Sequence, residues 1–300
     1  MSKTNIIFSA SSYDLFEKCL ANYKYGQLMN LTVPVHEKSQ SLDFGGLAHS
    51  GMEVYFKALA EGIHYNDRLH NSLMTIRAKA SDIDNSNVDI ETDLPIILSA
   101  VEQSCEYWRY EDENYLEILG VEEPFDYIMY EDDYVRIIFS GKIDLRVNKK
   151  GISSNEASYL NMPMDHKTYK RDFPVDRLNN QFINYCVPTE SNYLVVNRIG
   201  LQKTLKAEDK FKRLPLSYDP IYKQQWKDNV IKNILTFYLP AFMNDTWPMR
   251  PTSCRKFGRL CEFHAVCDSS GEAARQFKLD SLFVQKERWD KYKDEEGIEG

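Results

Sequence analysis

No apolar run in these 300 residues approaches the roughly 18 needed to cross a bilayer, so a membrane-spanning helix is excluded. Cysteine is scarce: six residues are too few for a disulfide scaffold. Glycine (13) and proline (11) are too few for a collagenous or low-complexity chain. The opening stretch, MSKTNIIFSASSYDLF, has only a short apolar segment and no small-residue cleavage site. A secretory leader is therefore not expected, and the expected compartment is the reducing cytoplasm. Bases are outnumbered, 37 Lys and Arg against 45 Asp and Glu, for a formal charge of −8. That balance excludes a non-specific duplex coater, but it leaves room for a local basic groove. Aromatic residues are plentiful. The 19 Tyr and 15 Phe supply the burial that disordered chains lack, and the length is ample for a real core.

Hydrophobic spacing predicts helices over Ser9–Met29, Phe44–Ala60, Asp67–Ala80 and Leu94–Leu119. Ser9, Ser11 and Ser12 offer N-cap oxygens to the first, and Gly45-Gly46 is expected to open the second. Residues 82–95 hold five acids and no base, which reads as a solvated loop. The period then changes to β-branched and aromatic segments at Val121–Tyr130, Tyr134–Val147 and Ser158–Thr168, separated by turn residues and suggesting an antiparallel meander. A helix over Arg177–Cys186, a strand over Ser191–Ile199 and a helix over 217–243 complete the pattern. The expected fold class is α/β, a mixed sheet flanked by helices behind a helical N-terminal segment. The expected organisation is one domain over 1–300, with a helical insertion at 30–120, a cysteine-bearing segment at 250–268 and a tail at 269–300.

Chemistry concentrates in Gly141-Lys142-Ile143-Asp144 and Met164-Asp165-His166-Lys167. Neighbouring antiparallel strands can bring Asp144 and Asp165 side by side, and paired carboxylates suit Mg²⁺ or Mn²⁺. Lys167 lies two residues after Asp165 and so shares its face of the strand. An ammonium there can orient an attacking water or neutralise charge on a phosphate. Alone, D-x-K is a common strand-end pattern. Asp144, however, sits among Ile137, Ile138, Phe139, Ile143 and Leu145, where a carboxylate needs a partner or a metal.

Five segments in order resemble the PD-(D/E)XK nuclease superfamily, and within it the RecB-like branch with its phage and CRISPR-associated exonucleases. Ser9 to Cys19 looks like the opening helix, with Leu20 in place of the usual proline. Gly45-Gly46-Leu47-Ala48-His49 resembles G-x-x-x-H. Gly141 to Asp144 and Asp165 to Lys167 resemble the second and third motifs, and Gln181 to Tyr185 matches Q-x-x-x-Y. The resemblance implies a restriction-endonuclease-like core and metal-dependent hydrolysis of DNA phosphodiesters. Asp144, Asp165, His49 and the carbonyl after Asp165 would be metal ligands, and Lys167 would position the nucleophilic water. Gln181 and Tyr185, on one helix face, would point at the site. DNA that is single-stranded or has free ends is the implied partner, with a recombinase or integrase as a candidate second one. The implied settings are recombination and repair, phage DNA processing or CRISPR adaptation.

Cys254, Cys261 and Cys267 form C-x6-C-x5-C in a turn-rich segment, and Cys19 can close a four-thiolate set. Such a set suits Zn²⁺ or a 4Fe-4S cluster, and spacing alone does not choose. The resemblance favours the 4Fe-4S cluster as a structural clasp, because iron–sulfur members of that branch share the wide spacing. Cys105 and Cys186 read as buried thiols. Basic residues gather at Arg198 to Lys227 and at Arg250 to Arg259, two expected rims for nucleic acid, with Tyr169, Tyr218, Trp226 and Phe257 as stacking candidates. The rival expectation is a non-catalytic, DNA-end-binding scaffold that keeps the fold. The intact His49, Asp144, Asp165 and Lys167 argue against it.

Overall fold

The computed structural model describes residues 3–34, 40–83, 90–151, 157–171, 174–256 and 259–286. In chain order these form β1 (Thr4–Phe8), α1 (Ala10–Lys18), α2 (Leu20–Tyr23), β2 (Leu31–Thr32), α3 (Gln40–Ala60), α4 (Tyr65–Ser81), α5 (Ile90–Tyr115), β3 (Leu116–Glu131), β4 (Val135–Lys149) and β5 (Tyr159–Tyr169). There follow α6 (Asn180–Cys186), β6 (Tyr193–Gly200), α7 (Ala207–Lys210), β7 (Phe211–Ser217), α8 (Pro220–Asn233), α9 (Leu239–Met243), β8 (Arg255–Lys256), β9 (Arg259–Leu260), α10 (His264–Cys267), α11 (Glu272–Leu282) and β10 (Val284–Gln285). The main sheet runs β1-β4-β5-β6-β7, with β3 pairing β4. The mixed α/β class expected from the sequence is what the chain adopts.

The chain divides into two compact units. One comprises 1–37, 126–141 and 224–300, and the other 38–125 and 142–223. In the first, β1 pairs parallel to the start of β4, with Phe8 opposite Phe139. Ser9 caps α1: its hydroxyl accepts from the Ser12 amide while the Ser12 hydroxyl accepts from the Ser9 amide. The expected Ser9–Met29 helix is interrupted at Cys19, whose backbone is extended, and a π-helical turn over Lys24–Leu28 ends it. An aromatic core of Phe8, Tyr13, Phe16, Tyr23, Phe139 and Tyr238 holds this unit. A satellite core of Leu31, Phe263, Val266, Leu279 and Phe283 packs α10 with α11, which lies in the stretch expected as a tail. Residues 287–300 lie outside the described residues.

In the second unit β5 is antiparallel to β4 and parallel to β6, and β7 is antiparallel to β6. Within the main sheet, strands β1 and β7 are additions to the expected set. In β7 the basic residues of FKRLPLS masked the alternation. Helix α3 opens earlier than expected, so Gly45 and Gly46 lie inside it. Helix α5 begins at Ile90, which puts Glu91 and Asp93 of the expected loop in a helical first turn, where the dipole favours them. That loop's residues 84–89 lie outside the described ones. The helix gives way to β3 at Leu116, a few residues before the expected end. Cys105 and Cys186 are buried, as expected.

A buried ion-pair network ties α5 to β7. Arg213 donates to Glu111 Oε1 at 2.7 Å and to Asp112 Oδ1 at 2.6 Å, with its guanidinium over the Trp108 ring. Burial pushes the Asp112 carboxyl up to about 6 despite that guanidinium. Burial also opposes the Glu111 charge, but Arg213 and Lys149 outweigh it and hold that carboxyl below its usual range. Removing one partner of a buried pair strands the other's charge. Arg213→Met is therefore expected to lower unfolding stability by about 3–5 kcal/mol at neutral pH. The deficit should shrink toward pH 5, where Asp112 can be neutral. Urea unfolding at the two pH values checks both statements.

Candidate functional site

Strand β4 alternates buried positions at Ile143, Leu145 and Val147 with a polar face at Lys142, Asp144 and Arg146. Asp144 is the buried member of that polar face. In the β4–β5 pairing Leu145 lies opposite Met164, and one step further along each strand sets Asp144 beside Asp165. The His166 amide then donates to Asp144 Oδ2 at 2.8 Å. Helix α3 packs on β5 and brings His49 to the same place. His49 Nδ1 lies 3.4 Å from Asp144 Oδ2, and His49 Nε2 lies 2.6 Å from the His166 carbonyl oxygen.

A residue that sequence reasoning missed completes the group. Ligand atoms of His49, Glu122 and Asp144 all lie within 4.8 Å of one another, the one such group among the described residues. Glu122 sits on β3 with φ of 51°, a left-handed conformation that costs a non-glycine residue about 1–3 kcal/mol. The surroundings must hold it there. Its carboxylate is 4.0 Å from the Lys142 ammonium. The signal in the sequence was the acidic pair Glu122-Glu123 set between Leu119-Gly120-Val121 and Pro124-Phe125. Glu123 has a separate task, a two-pronged pair with Arg146.

Asp165 is fully buried. Its Oδ1 accepts from Lys167 Nζ at 2.9 Å, while its Oδ2 has no hydrogen-bond partner. Burial pushes this carboxyl up, and the neighbouring Asp144 charge adds to that against the pull of Lys167. Lys167 also donates to Gln181 Oε1 at 3.1 Å, and Gln181 Nε2 donates to the Tyr185 hydroxyl at 2.8 Å. Asn179 caps α6 by accepting from the Gln181 amide, which fixes the helix carrying both residues. Burial, then the charges of Asp144 and Asp165, hold the Tyr185 phenol well above its ordinary range. His166 points to the opposite face of β5, where burial keeps its imidazole well below the usual range. The structure thus brings together all seven residues: His49, Glu122, Asp144, Asp165, Lys167, Gln181 and Tyr185.

The donor set is one imidazole nitrogen, carboxylate oxygens and a strand carbonyl. It suits a divalent cation such as Mg²⁺ or Mn²⁺, and the orphaned Asp165 oxygen is an acceptor that such an ion would satisfy. Residues 7–268 match the PD-(D/E)XK nuclease superfamily. This chain belongs to the PD-(D/E)XK nuclease superfamily. Among solved structures it is similar to one named "Putative exonuclease" from Eubacterium rectale, at 14% identity over 97% of this chain and 93% of that one, with a TM-score of 0.45. It is also similar to SSO0001, at 12% identity over 74% of this chain and 84% of that one, with a TM-score of 0.28. Neither likeness bears on the site, which rests on the superfamily match and the geometry. No curated protein matches the chain significantly.

The other unit carries the cysteine set. Cys19 interrupts α1 and α2, Cys254 follows a short 3-10 turn, Cys261 follows β9 and Cys267 ends α10. The Arg250 amide donates to Cys19 Sγ at 3.4 Å, and Asn22 Nδ2 donates to Cys261 Sγ at 3.3 Å. Burial raises the Cys267 thiol to about 11, and the proximity of Cys19, Cys261 and Cys254 adds to the rise.

The first expected basic rim needs correction. Arg198, Lys210 and Arg213 are buried, and Lys223 is spent on the Ser191 carbonyl. Charge counted along the sequence does not reveal which cations turn inward. Tyr169 and Tyr218 are buried and Trp226 packs in the aromatic core, so they are not stacking platforms. Phe257 lies outside the described residues. Arg250, Arg255 and Arg259 of the second cluster are exposed. No described helix is long and apolar enough to cross a membrane.

A carboxyl whose folded-state pKa exceeds its unfolded value opposes folding once ionised. Its cost therefore grows as pH rises from the unfolded value through the folded one. Asp165→Asn is expected to raise the melting temperature of the metal-free protein at pH 8 and to change it little at pH 4. Thermal unfolding in chelator across that range checks the sign.

Proposed function

We propose that this nuclease is a Mg²⁺- or Mn²⁺-dependent DNA exonuclease. The observation that carries the reading is the convergence of His49, Asp144 and the orphaned Asp165 carboxylate beside the Lys167 ammonium. His49, Asp144, Asp165 and the His166 carbonyl would hold the ion, with Glu122 as an added ligand. When bound, the ion supplies Lewis acidity and lowers the pKa of a water. Lys167 orients the attacking water and offsets charge developing on the phosphate. Gln181 holds Lys167 in place through its carboxamide oxygen and is itself fixed by Tyr185. Leaving Lys167 hydrogen-bonded on two sides restricts its ammonium to one position before substrate arrives.

The four cysteines fit a structural 4Fe-4S cluster in this reading. Four thiols are the donor set such a cluster takes, and N–H···S contacts to Cys19 and Cys261 are of the kind that tune it. Zinc is the weaker fit to the wide sequence spacing. A reducing, cytoplasmic setting suits those thiolates, and DNA ends are the substrate this reading assigns. A recombinase or integrase partner belongs to the same reading.

The test is degradation of end-labelled linear DNA, single- and double-stranded, by protein purified without oxygen. Wild type should cut with Mg²⁺ or Mn²⁺, and Asp144→Ala should be inactive. Lys167→Ala should lose at least about 100-fold in rate. A folded protein that binds these DNAs and cuts none would favour the scaffold instead. For the cluster, wild type should carry iron, sulfide and a broad visible absorbance, all lost in Cys261→Ser. Stoichiometric zinc in a colourless protein would overturn that part.

A further inference from the structure

His166 lies between two residues assigned to the metal and the water, yet its side chain faces away from them. Its backbone makes both links that assemble the site: its amide donates to Asp144 Oδ2 and its carbonyl oxygen meets His49 Nε2. The orientation of this one residue therefore sets where three ligand atoms stand. Its imidazole is held by Asn197 and Phe56, and the His49 ring also meets it edge-on with centroids 6.0 Å apart. Asn197 is its register partner on β6, and Asn197 Nδ2 lies 2.9 Å from His166 Nδ1. Phe56 stacks on the ring with centroids 5.5 Å apart and planes 9° apart.

Phe56 and His49 are seven residues apart on α3, two turns along one face. The same helix thus grips residue 166 at its carbonyl and at its ring. Asn197 and Phe56 have no exposed surface, and His166 is 3% exposed. An amide in the middle of a buried sheet is costly unless it is used. An apolar pair would fill the same volume, so the polar pair has to be explained by what it positions. With Asn197 donating, Nδ1 is the acceptor and the ring proton sits on Nε2.

We propose that His166 is a positioning residue for the metal centre, fixed by Asn197 and Phe56 so that its amide and carbonyl hold Asp144 and His49 in ligating geometry. This rests on the metal-dependent reading above. A second layer of this kind commonly governs metal affinity about 10- to 100-fold.

The experiment is Mn²⁺ titration calorimetry on wild type, His166→Phe, His166→Asn and Asn197→Leu, with Asp144→Asn as reference and thermal unfolding of each in chelator. His166→Phe keeps a ring on Phe56 but removes the Nδ1 acceptor. His166→Asn loses the ring but keeps an acceptor near the Nδ1 position. The expected result is a crossing. His166→Phe and Asn197→Leu weaken Mn²⁺ binding by about tenfold or more. His166→Asn, although less stable, binds Mn²⁺ more tightly than His166→Phe. A purely packing role would rank affinity with melting temperature. Wild-type affinity in His166→Phe and Asn197→Leu, with Asp144→Asn silent, overturns the positioning role and leaves the metal reading standing. No Mn²⁺ binding by wild type overturns both. If Asn197→Leu does not fold, the two His166 variants decide.

Discussion

The interaction on which this site depends is the burial of Asp165 beside Lys167. A fully buried carboxylate with one oxygen on an ammonium and the other on nothing is half compensated. Its pKa is driven up by burial and by Asp144, and it costs the metal-free fold stability at neutral pH. Such an arrangement is useful only if something positive completes it. The neighbouring His49, Glu122 and Asp144 make that something a divalent ion rather than a second basic side chain. The contrast with Asp112 is instructive. That carboxyl is as buried, but Arg213 and the rest of its network make it a structural tie between α5 and β7.

Positioning follows from elementary geometry. Period-two alternation places Lys142 and Asp144 on one face of β4, and Asp165 and Lys167 on one face of β5. The antiparallel register sets the two carboxylates together. Alternation also sends His166 to the far side, where the core of its unit can hold it. Helix α6, fixed by the Asn179 cap, adds Gln181 and Tyr185 at one-turn spacing. Each side chain of the candidate site is thus carried by a regular element rather than a loop, which limits how far it can stray.

Much of this was legible in the sequence, for identifiable reasons. The Asp-x-Lys pair and the Gln181–Tyr185 pair have spacings that fix the face each pair shares, whereas His49 was legible only through the resemblance to the nuclease superfamily. The Ser9 cap was readable because capping is local. The acidic pair Glu122-Glu123 was visible, but the place of Glu122 at the site was not, because a left-handed residue in a strand depends on contacts that no window of sequence contains. The expected basic rim over Arg198–Lys227 lost four of its bases, Arg198, Lys210, Arg213 and Lys223, for a related reason. Arg213 and Arg198 look like surface cations until the sheet and α5 enclose them. Helix α1 stops at Cys19 because that residue turns extended, while the hydrophobic period runs on through it.

The central claim is that one divalent ion sits among His49, Asp144, Asp165 and the His166 carbonyl. Anomalous diffraction from crystals soaked in Mn²⁺ tests it most directly. The account predicts a strong peak within ligating distance of Asp144 and His49, with the Asp165 oxygen newly satisfied. A Mn²⁺ peak elsewhere, with these groups unmoved and unligated at saturating ion, would contradict it.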